Sequence, residues 1–159
     1  NRLQALEHLL SVRLREVLRE DMGGVYGVRV DSGSWDRPTQ GYHFDISFGC
    51  DPGRVDELRA AVDAELKRVV SEPASAEEVA VEQEKKRRDR EERVRTNDYW
   101  LGGILSALSR GDDPRDLMTW DARNDSLNPA EIQAMAALVF SKDANRMEAV
   151  LLPEESKEQ

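Results

Sequence analysis

The stretch "LREDMGGVYGVRV", residues 18–30, joins the two kinds of secondary structure that decide this fold. Apolar residues recur upstream of it at steps of three and four, which predicts an amphipathic helix over residues 2–20. They are Leu3, Leu6, Leu10, Leu14 and Val17. Gly23 and Gly24 follow, and glycines of this kind supply the left-handed conformations that end helices. The helix is therefore predicted to end at the glycine pair.

Two strands are predicted after the glycines. The first covers residues 25–31, with Tyr26, Val28 and Val30 on one face. The second is "YHFDISF", residues 42–48, in which apolar and polar side chains alternate as in a half-buried strand. The two strands are predicted to form an antiparallel pair with a long, turn-rich connection.

Capping signals predict two helices directly after the strands. Asp51 or Pro52 begins the first of them, and Pro73 ends it. Ser75 is followed three residues later by Glu78, which is the pattern of a capping box at the start of the next helix.

Two more helices are predicted in the second half of the chain. One lies at about residues 97–109 and carries a stripe of large apolar side chains. The other is capped by Asn128, with Pro129 in the first helical position and Glu131 three residues beyond the cap.

The predicted fold class is α+β, with a small antiparallel or mixed sheet of about three strands and helices packed on one face. The third strand is the apolar segment "RMEAVLLP", residues 146–153, and residues 154–159 are predicted to be a polar tail. No repeat or linker divides residues 1–159, so they are predicted to form one domain. Because three strands leave exposed sheet edges, this domain is expected to be part of a larger sheet.

The composition limits the classes of function. A formal net charge of −9 over 159 residues argues against general affinity for nucleic acid, and no apolar run is long enough to span a membrane. The chain starts at Asn1 without a methionine, so it is expected to be a piece of a longer protein, and its localisation stays unknown. Cys50 is the only cysteine, which excludes an internal disulfide and favours a small core residue.

The charged segment "EQEKKRRDREERVR", residues 82–95, is predicted to be a solvated helix, not a phosphate-binding surface. It lacks the aromatic residues on which bases stack. Its charges fall into four pairs at helical i, i+4 spacing. The pairs are Glu82 with Lys86, Glu84 with Arg88, Asp89 with Arg93, and Glu91 with Arg95.

No metal ligands are predicted in this chain. The segment "QALEH", residues 4–8, is close to the inverted zinc motif H-x-x-E-H, but Gln4 replaces the first histidine and is a poor ligand. Glu7 is then expected to be exposed and His8 to lie at the boundary of the core. His43 points away from the apolar face of its strand and is assigned no role.

Arg19 and Tyr26 flank the glycine pair and allow two interpretations. In the first, Arg19 complements the dipole at a helix end and Tyr26 is an ordinary half-buried strand residue. In the second, a guanidinium and a phenol lie close enough to donate hydrogen bonds to one substrate carbonyl or carboxylate. A phosphate-binding loop is excluded because the glycines follow the helix, whereas such loops precede one.

The segment "LREVLREDMGGVYGVRV" resembles the C-terminal domain of the pitrilysin (insulinase-like) zinc metallopeptidases, in particular their bacterial branch. That family carries an Arg and a Tyr with six residues between them, which Arg19 and Tyr26 match. The resemblance continues through "YHFDISFGCDPGRVDEL", "TNDYWLGGIL", "SLNPAEIQAMAALVF" and "AVLLPEE" to cover nearly the whole chain.

This resemblance implies a function for the pair and a partner for the chain. Family members have two halves that enclose a chamber, and the N-terminal half binds zinc through H-x-x-E-H. Tyr26 would then hydrogen-bond the scissile carbonyl of a peptide substrate, and Arg19 would hold its backbone or carboxylate. The expected partner is an N-terminal half of the same polypeptide or a separate subunit, and the expected localisation of the parent is periplasmic or secreted.

The chain departs from the family pattern because it contains no H-x-x-E-H. It therefore resembles the later part of the C-terminal domain and is predicted to be inactive alone, with no cofactor of its own. The leading prediction is the substrate-clamping portion of a zinc endopeptidase. The alternatives are a non-catalytic structural or partner subunit of the same family, and an unrelated interaction module.

Overall fold

The computed structural model describes residues 2–153 and has an α+β fold, as predicted. Six α-helices accompany one antiparallel hairpin in this part of the chain. In chain order the elements are α1 (Arg2–Arg15), a π-helix (Glu16–Asp21), β1 (Val25–Trp35), β2 (Gly41–Cys50), a 3-10 turn (Pro52–Arg54), α2 (Val55–Ser71), α3 (Ala76–Arg93), α4 (Asn97–Arg110), a second 3-10 helix (Pro114–Thr119), α5 (Trp120–Asp125) and α6 (Pro129–Val139).

Helix α1 and its π-helical extension form the centre of the molecule. Four leucines spaced four residues apart have no exposed surface, and they are Leu6, Leu10, Leu14 and Leu18. Each buried leucine stabilises the folded state by about 1.5–3 kcal/mol relative to an exposed one. Leu18 is fully buried whereas Val17 is only partly buried, so the apolar stripe continues with a step of four where the spacing predicted three.

The hairpin covers α1 with its apolar face. Val30 is buried, and Val28, Phe44, Ile46 and Phe48 pack against the core, which confirms helices on one face of the sheet. Strand β1 is longer than predicted and extends to Trp35, so the connection is short. The long turn-rich connection was therefore a wrong prediction, because residues 31–35 pair with β2 despite their polar composition.

The sheet has two strands within the described residues, not the three that were predicted. Residues 146–153 are assigned no strand. Two of their side chains contact α2 instead: Arg146 Nη2 lies 2.6 Å from Asp63 Oδ1, and Glu148 Oε2 lies 3.3 Å from Arg59 Nη1. A strand needs a neighbouring edge to pair with, whereas these ion pairs are made to a helix. The predicted polar tail, residues 154–159, lies outside the described residues.

The capping predictions for the later helices are confirmed. Ser75 and Glu78 form a reciprocal capping box at the start of α3, and the Asn128 side chain accepts a hydrogen bond from the backbone N–H of Glu131 at the start of α6. The helical segments 114–119 and 120–125 were not predicted. They pack on the C-terminal half of α3, where Arg90 lies over the ring of Trp120 at 5.1 Å.

The charged face of α3 forms two of its four predicted ion pairs. Glu82 pairs with Lys86 at 3.0 Å and Glu84 with Arg88 at 2.9 Å. The other two predicted pairs do not form among the described residues. Arg95 lies beyond the end of α3 at Arg93, and the Arg93 side chain lies over the ring of Tyr99 at 5.5 Å.

Candidate functional site

The element that carries Arg19 is a π-helix. Residues Glu16–Asp21 form a widened turn after α1, and Leu18 anchors it in the core. Arg19 lies on the outside, with 54% of its side chain exposed, and its only ion-pair contact among the described residues is a loose one of 3.7 Å between Nε and Glu20 Oε1. π-helical turns are rare and are frequent at functional sites, so this turn is a candidate for one.

The glycine pair closes the π-helix in a way that sequence spacing did not predict. The N–H of Gly23 donates to the carbonyl of Arg19, and the N–H of Gly24 donates to the carbonyl of Leu18. These two bonds come directly after a π-helical turn, in which a hydrogen-bonded ring contains one residue more than in an α-helical turn. Arg19 is therefore presented from a wider turn than an α-helix would provide.

The two glycines have different roles. Gly23 has a φ of 58°, the left-handed conformation that was predicted for both. Gly24 is not left-handed, and a Cβ there would lie 2.5 Å from Cδ2 of Leu58. Gly24 is thus a site of close packing against α2, and only Gly23 is needed for the turn itself.

Tyr26 lies in a bulge at the start of β1. Val25 pairs with Cys50 and Val28 with Phe48, so Tyr26 and Gly27 together face one residue of β2. The bulge interrupts the alternation of faces, and Tyr26 is 99% exposed where it was predicted to share a face with Val28 and Val30. Bulges re-aim side chains and are common beside active sites. A glycine inside a strand is a signal of a bulge, and Gly27 is that signal here.

The interpretation of Tyr26 as a half-buried strand residue is wrong. Nothing among residues 2–153 accepts or donates a hydrogen bond at its hydroxyl, and its ring contributes nothing to the core. A short linker, residues 22–24, joins the π-helix to β1. Arg19 and Tyr26 lie on either side of this linker, and both side chains reach solvent. Five guanidinium N–H donors and one phenol O–H donor are available there to a carbonyl or carboxylate.

The three residues of the near-motif Gln4–Glu7–His8 have different surroundings. Gln4 is exposed, and Glu7 is half-buried, not exposed as predicted, because its carboxylate accepts a hydrogen bond of 2.6 Å from Ser32. His8 lies between Glu82, with Nε2 3.4 Å from Oε2, and Lys85, with Nδ1 3.2 Å from Nζ. Burial lowers the pKa of His8, with Glu82 opposing the shift. These contacts make His8 part of the α1–α3 packing.

One cluster of metal-ligating side chains was missed by sequence reasoning. Asp31 and Asp45 face each other across the hairpin, and His43 Nε2 lies 3.3 Å from Asp31 Oδ2 and 3.8 Å from Asp45 Oδ2. The imidazole lies over Gly33, where a Cβ would be 2.4 Å from its Cε1. The three side chains are 44–72% exposed, and the imidazole of His43 contacts both carboxylates, so the cluster lies at the protein surface.

Comparison with known proteins places the first half of the chain in a family. Residues 1–86 match the family model described as "Peptidase M16 inactive domain". This segment contains Arg19, Tyr26 and the whole hairpin. No curated protein matches the chain.

Several solved structures share the fold. The periplasmic protease PqqL from Escherichia coli superposes with a TM-score of 0.73 at 20% identity, over 86% of this chain and 15% of PqqL. The ferredoxin protease FusC, solved as a mutant in complex with Arabidopsis ferredoxin, gives a TM-score of 0.72 at 22% identity, again over 86% and 15% of the two chains. A protease from Helicobacter pylori gives 0.67 at 13% identity over 87% of this chain and 34% of that one. The chain therefore spans a minor part of each of these proteases.

Proposed function

Because the chain belongs to the M16 peptidase family, we propose that it is the substrate-clamping portion of a zinc-dependent endopeptidase. The predicted relationship to the C-terminal domain of pitrilysin-like peptidases is confirmed by the family match and by the shared fold. The description of the family domain as inactive supports a role other than cleavage by this chain alone. The proposal concerns what such a domain contributes to peptide hydrolysis.

The observation that carries the proposal is the exposure of Tyr26. An aromatic side chain that is 99% exposed, in a bulge, without a hydrogen-bond partner among residues 2–153, has no role in the described fold. Its O–H can donate to a scissile carbonyl oxygen as negative charge develops there. Arg19, at the other end of the linker, can donate to a substrate backbone carbonyl or to a carboxylate.

The zinc and the general base belong, in this proposal, to a separate half of the peptidase. A zinc site of H-x-x-E-H type needs two histidines one helical turn apart, whereas His8 lies on α1 and His43 on β2. The clamping portion therefore needs an N-terminal half, on the same polypeptide or on a partner subunit. We also propose a periplasmic or secreted location, which the periplasmic relative PqqL supports. No helix among residues 2–153 is long and apolar enough to cross a membrane.

A non-catalytic subunit is the second candidate function. The description of the family domain as inactive favours it, since such a domain can support a partner without contacting substrate. The two candidates differ in one respect, because only a clamp makes use of the phenol of Tyr26.

The test is the Tyr26→Phe variant of the complete peptidase. Removal of one oxyanion donor typically costs about 2.7–4 kcal/mol, so kcat should fall by about 10²–10³-fold with a small change in KM. Tyr42→Phe is the matched control, because the Tyr42 hydroxyl makes only a long hydrogen bond of 3.5 Å to the carbonyl of Leu138. Unchanged kcat in Tyr26→Phe would reject the clamp and leave the structural subunit as the function.

A further inference from the structure

Arg54 ends the 3-10 turn that precedes α2, and it connects this turn to the linker between Arg19 and Tyr26. Its Nη1 and Nη2 both donate to the carbonyl of Met22, each at 3.3 Å, across 32 positions of sequence. Met22 ends the π-helix, where the last carbonyls have no partner within the helix. The cation therefore satisfies a carbonyl at the negative end of the helix dipole.

The guanidinium of Arg54 is itself fixed by Glu57. Nε donates to Oε2 and Nη2 donates to Oε1, both at 3.0 Å, which is a bidentate pair. The contact raises the pKa of Arg54 and lowers the pKa of Glu57, so both groups stay charged around neutral pH. An arginine held along one edge can present its remaining N–H groups in a defined direction.

Gly24 packs against Arg54 and α2. A Cβ at Gly24 would lie 3.2 Å from Arg54 Nη1 and 2.5 Å from Leu58 Cδ2. The absence of a side chain thus lets α2 approach the linker closely.

We propose that Arg54 is a positioning residue for Tyr26. It acts through the Met22 carbonyl, which fixes the short linker and thereby the placement of the π-helical turn relative to the bulge. Arg54 itself is not a substrate ligand in this proposal. The inference depends on the proposed clamp function and adds a third residue to it. The spacing of Arg19 and Tyr26 in the sequence does not indicate this third residue.

The expected effect of losing Arg54 falls on kcat. A displacement of about 1 Å at a catalytic group can cost about 100-fold in rate, and a loosened linker should produce part of such a loss. In the complete peptidase, Arg54→Gln is expected to lower kcat by about 10-fold with KM changed less than about twofold. Arg54→Lys should recover part of the loss, because an ammonium can still donate to Met22 but cannot form the bidentate pair with Glu57.

The deciding measurement is a double-mutant cycle with Tyr26→Phe. If Arg54 acts through Tyr26, Arg54→Gln should change kcat by less than about twofold in the Tyr26→Phe background. Arg59→Gln is the matched control, since Arg59 lies near the start of the helix that follows Arg54 and pairs with Asp56 and Glu148 away from the linker. Its kcat should equal that of the unmodified peptidase in both backgrounds.

The outcomes separate this inference from the clamp function. If Tyr26→Phe leaves kcat unchanged, the clamp function fails. If Tyr26→Phe lowers kcat but Arg54→Gln does not, or lowers it equally in both backgrounds, the positioning role of Arg54 is wrong. If Arg54→Gln does not fold, the same cycle is measured with Glu57→Gln, for which kcat is expected to fall about threefold. An equal fall in both backgrounds would again overturn the proposal.

A second readout is independent of turnover. In the 159-residue chain, Arg54→Gln should speed hydrogen exchange of the Gly23 and Gly24 amides, whose bonds to Arg19 and Leu18 close the π-helix. Arg59→Gln should leave their exchange unchanged. Unaltered exchange at both glycines in Arg54→Gln would show that Arg54 does not fix the linker.

Discussion

Arg13 and Arg19 lie six residues apart on the same helical segment, and they have opposite environments. Arg13 is 8% exposed, donates from Nε and Nη2 to Glu78 at 2.8 and 3.0 Å, and has Nη1 3.5 Å from Glu65. Arg19 is about half exposed and has only the loose contact with Glu20 among the described residues. A guanidinium buried against carboxylates inside the fold cannot reach a ligand, whereas one left in solvent keeps its donors available. The difference separates a structural cation from a candidate binding cation.

The contacts of Arg13 join three helices. Glu78 lies in the first turn of α3 and also accepts a hydrogen bond from the backbone N–H of Ser75, so one carboxylate serves both the cap and the ion pair. Glu65 of α2 is buried and bonds to Arg68 as well. Arg13 therefore compensates a buried negative charge at the point where α1, α2 and α3 meet.

The largest expected effect on stability is that of Arg13→Met. Methionine keeps the apolar stem but removes the charge, which leaves Glu65 buried with one cation fewer. Breaking a buried ion pair in this way costs about 3–5 kcal/mol of unfolding free energy. Urea unfolding of the 159-residue chain measures it, and Arg15→Met, at an exposed position two residues on, is the control. A loss below about 1 kcal/mol would show that Arg13 and Arg19 do not differ as described.

A smaller effect is expected from the acid titration of Glu78. The hydrogen bonds from Arg13 lower the pKa of Glu78 from 4.5 to about 2. Since the folded-state pKa is depressed, the contribution to stability is present above the unfolded-state pKa and is lost as pH falls from about 4.5 to about 2. Its size is about 1–2 kcal/mol, because solvent screens a side chain that is 34% exposed.

Glu78→Gln tests this assignment. The variant should lose this acid-dependent part of the unfolding free energy, so its stability should vary less between about pH 5 and about pH 2.5 than that of the unmodified chain. Glu77→Gln removes a neighbouring exposed charge from the same helical turn and should keep the full pH dependence. Equal pH dependence in the unmodified chain and in Glu78→Gln would assign the acid sensitivity to other carboxylates.

The regular parts of the fold follow from local pattern. The spacing of Leu6, Leu10 and Leu14 predicted the central helix, and the capping residues Ser75 and Asn128 predicted where α3 and α6 begin. These signals act within a few residues, so one sequence contains them completely. The third strand that was predicted shows the limit of such local signals. Residues 146–153 are apolar enough for a strand, but a strand also needs a sheet edge to pair with, and that edge lies elsewhere in the sequence.

The residues of the candidate site could be predicted from the sequence, but the backbone geometry around them could not. The family resemblance identified Arg19 and Tyr26, whereas the π-turn and the bulge that expose them contradict the simple helical and strand periods. The Asp31–His43 contact and the Arg54–Met22 bond depend on strand register and on helix packing across many positions of sequence. Such contacts carry no local signal, and a motif search cannot find them.

The smallest expected effects are those of the exposed pair itself. Arg19→Gln and Tyr26→Phe should each change the unfolding free energy of the 159-residue chain by less than about 0.5 kcal/mol, because neither side chain packs in the core. The same substitutions should reduce turnover strongly in the complete peptidase, so the pair would be neutral for stability and important for catalysis. Urea unfolding of these two variants, measured together with Arg13→Met, compares their unfolding free energies directly. A loss of more than about 1 kcal/mol at either position would identify it as structural and would remove the exposure of Tyr26 as support for a clamp.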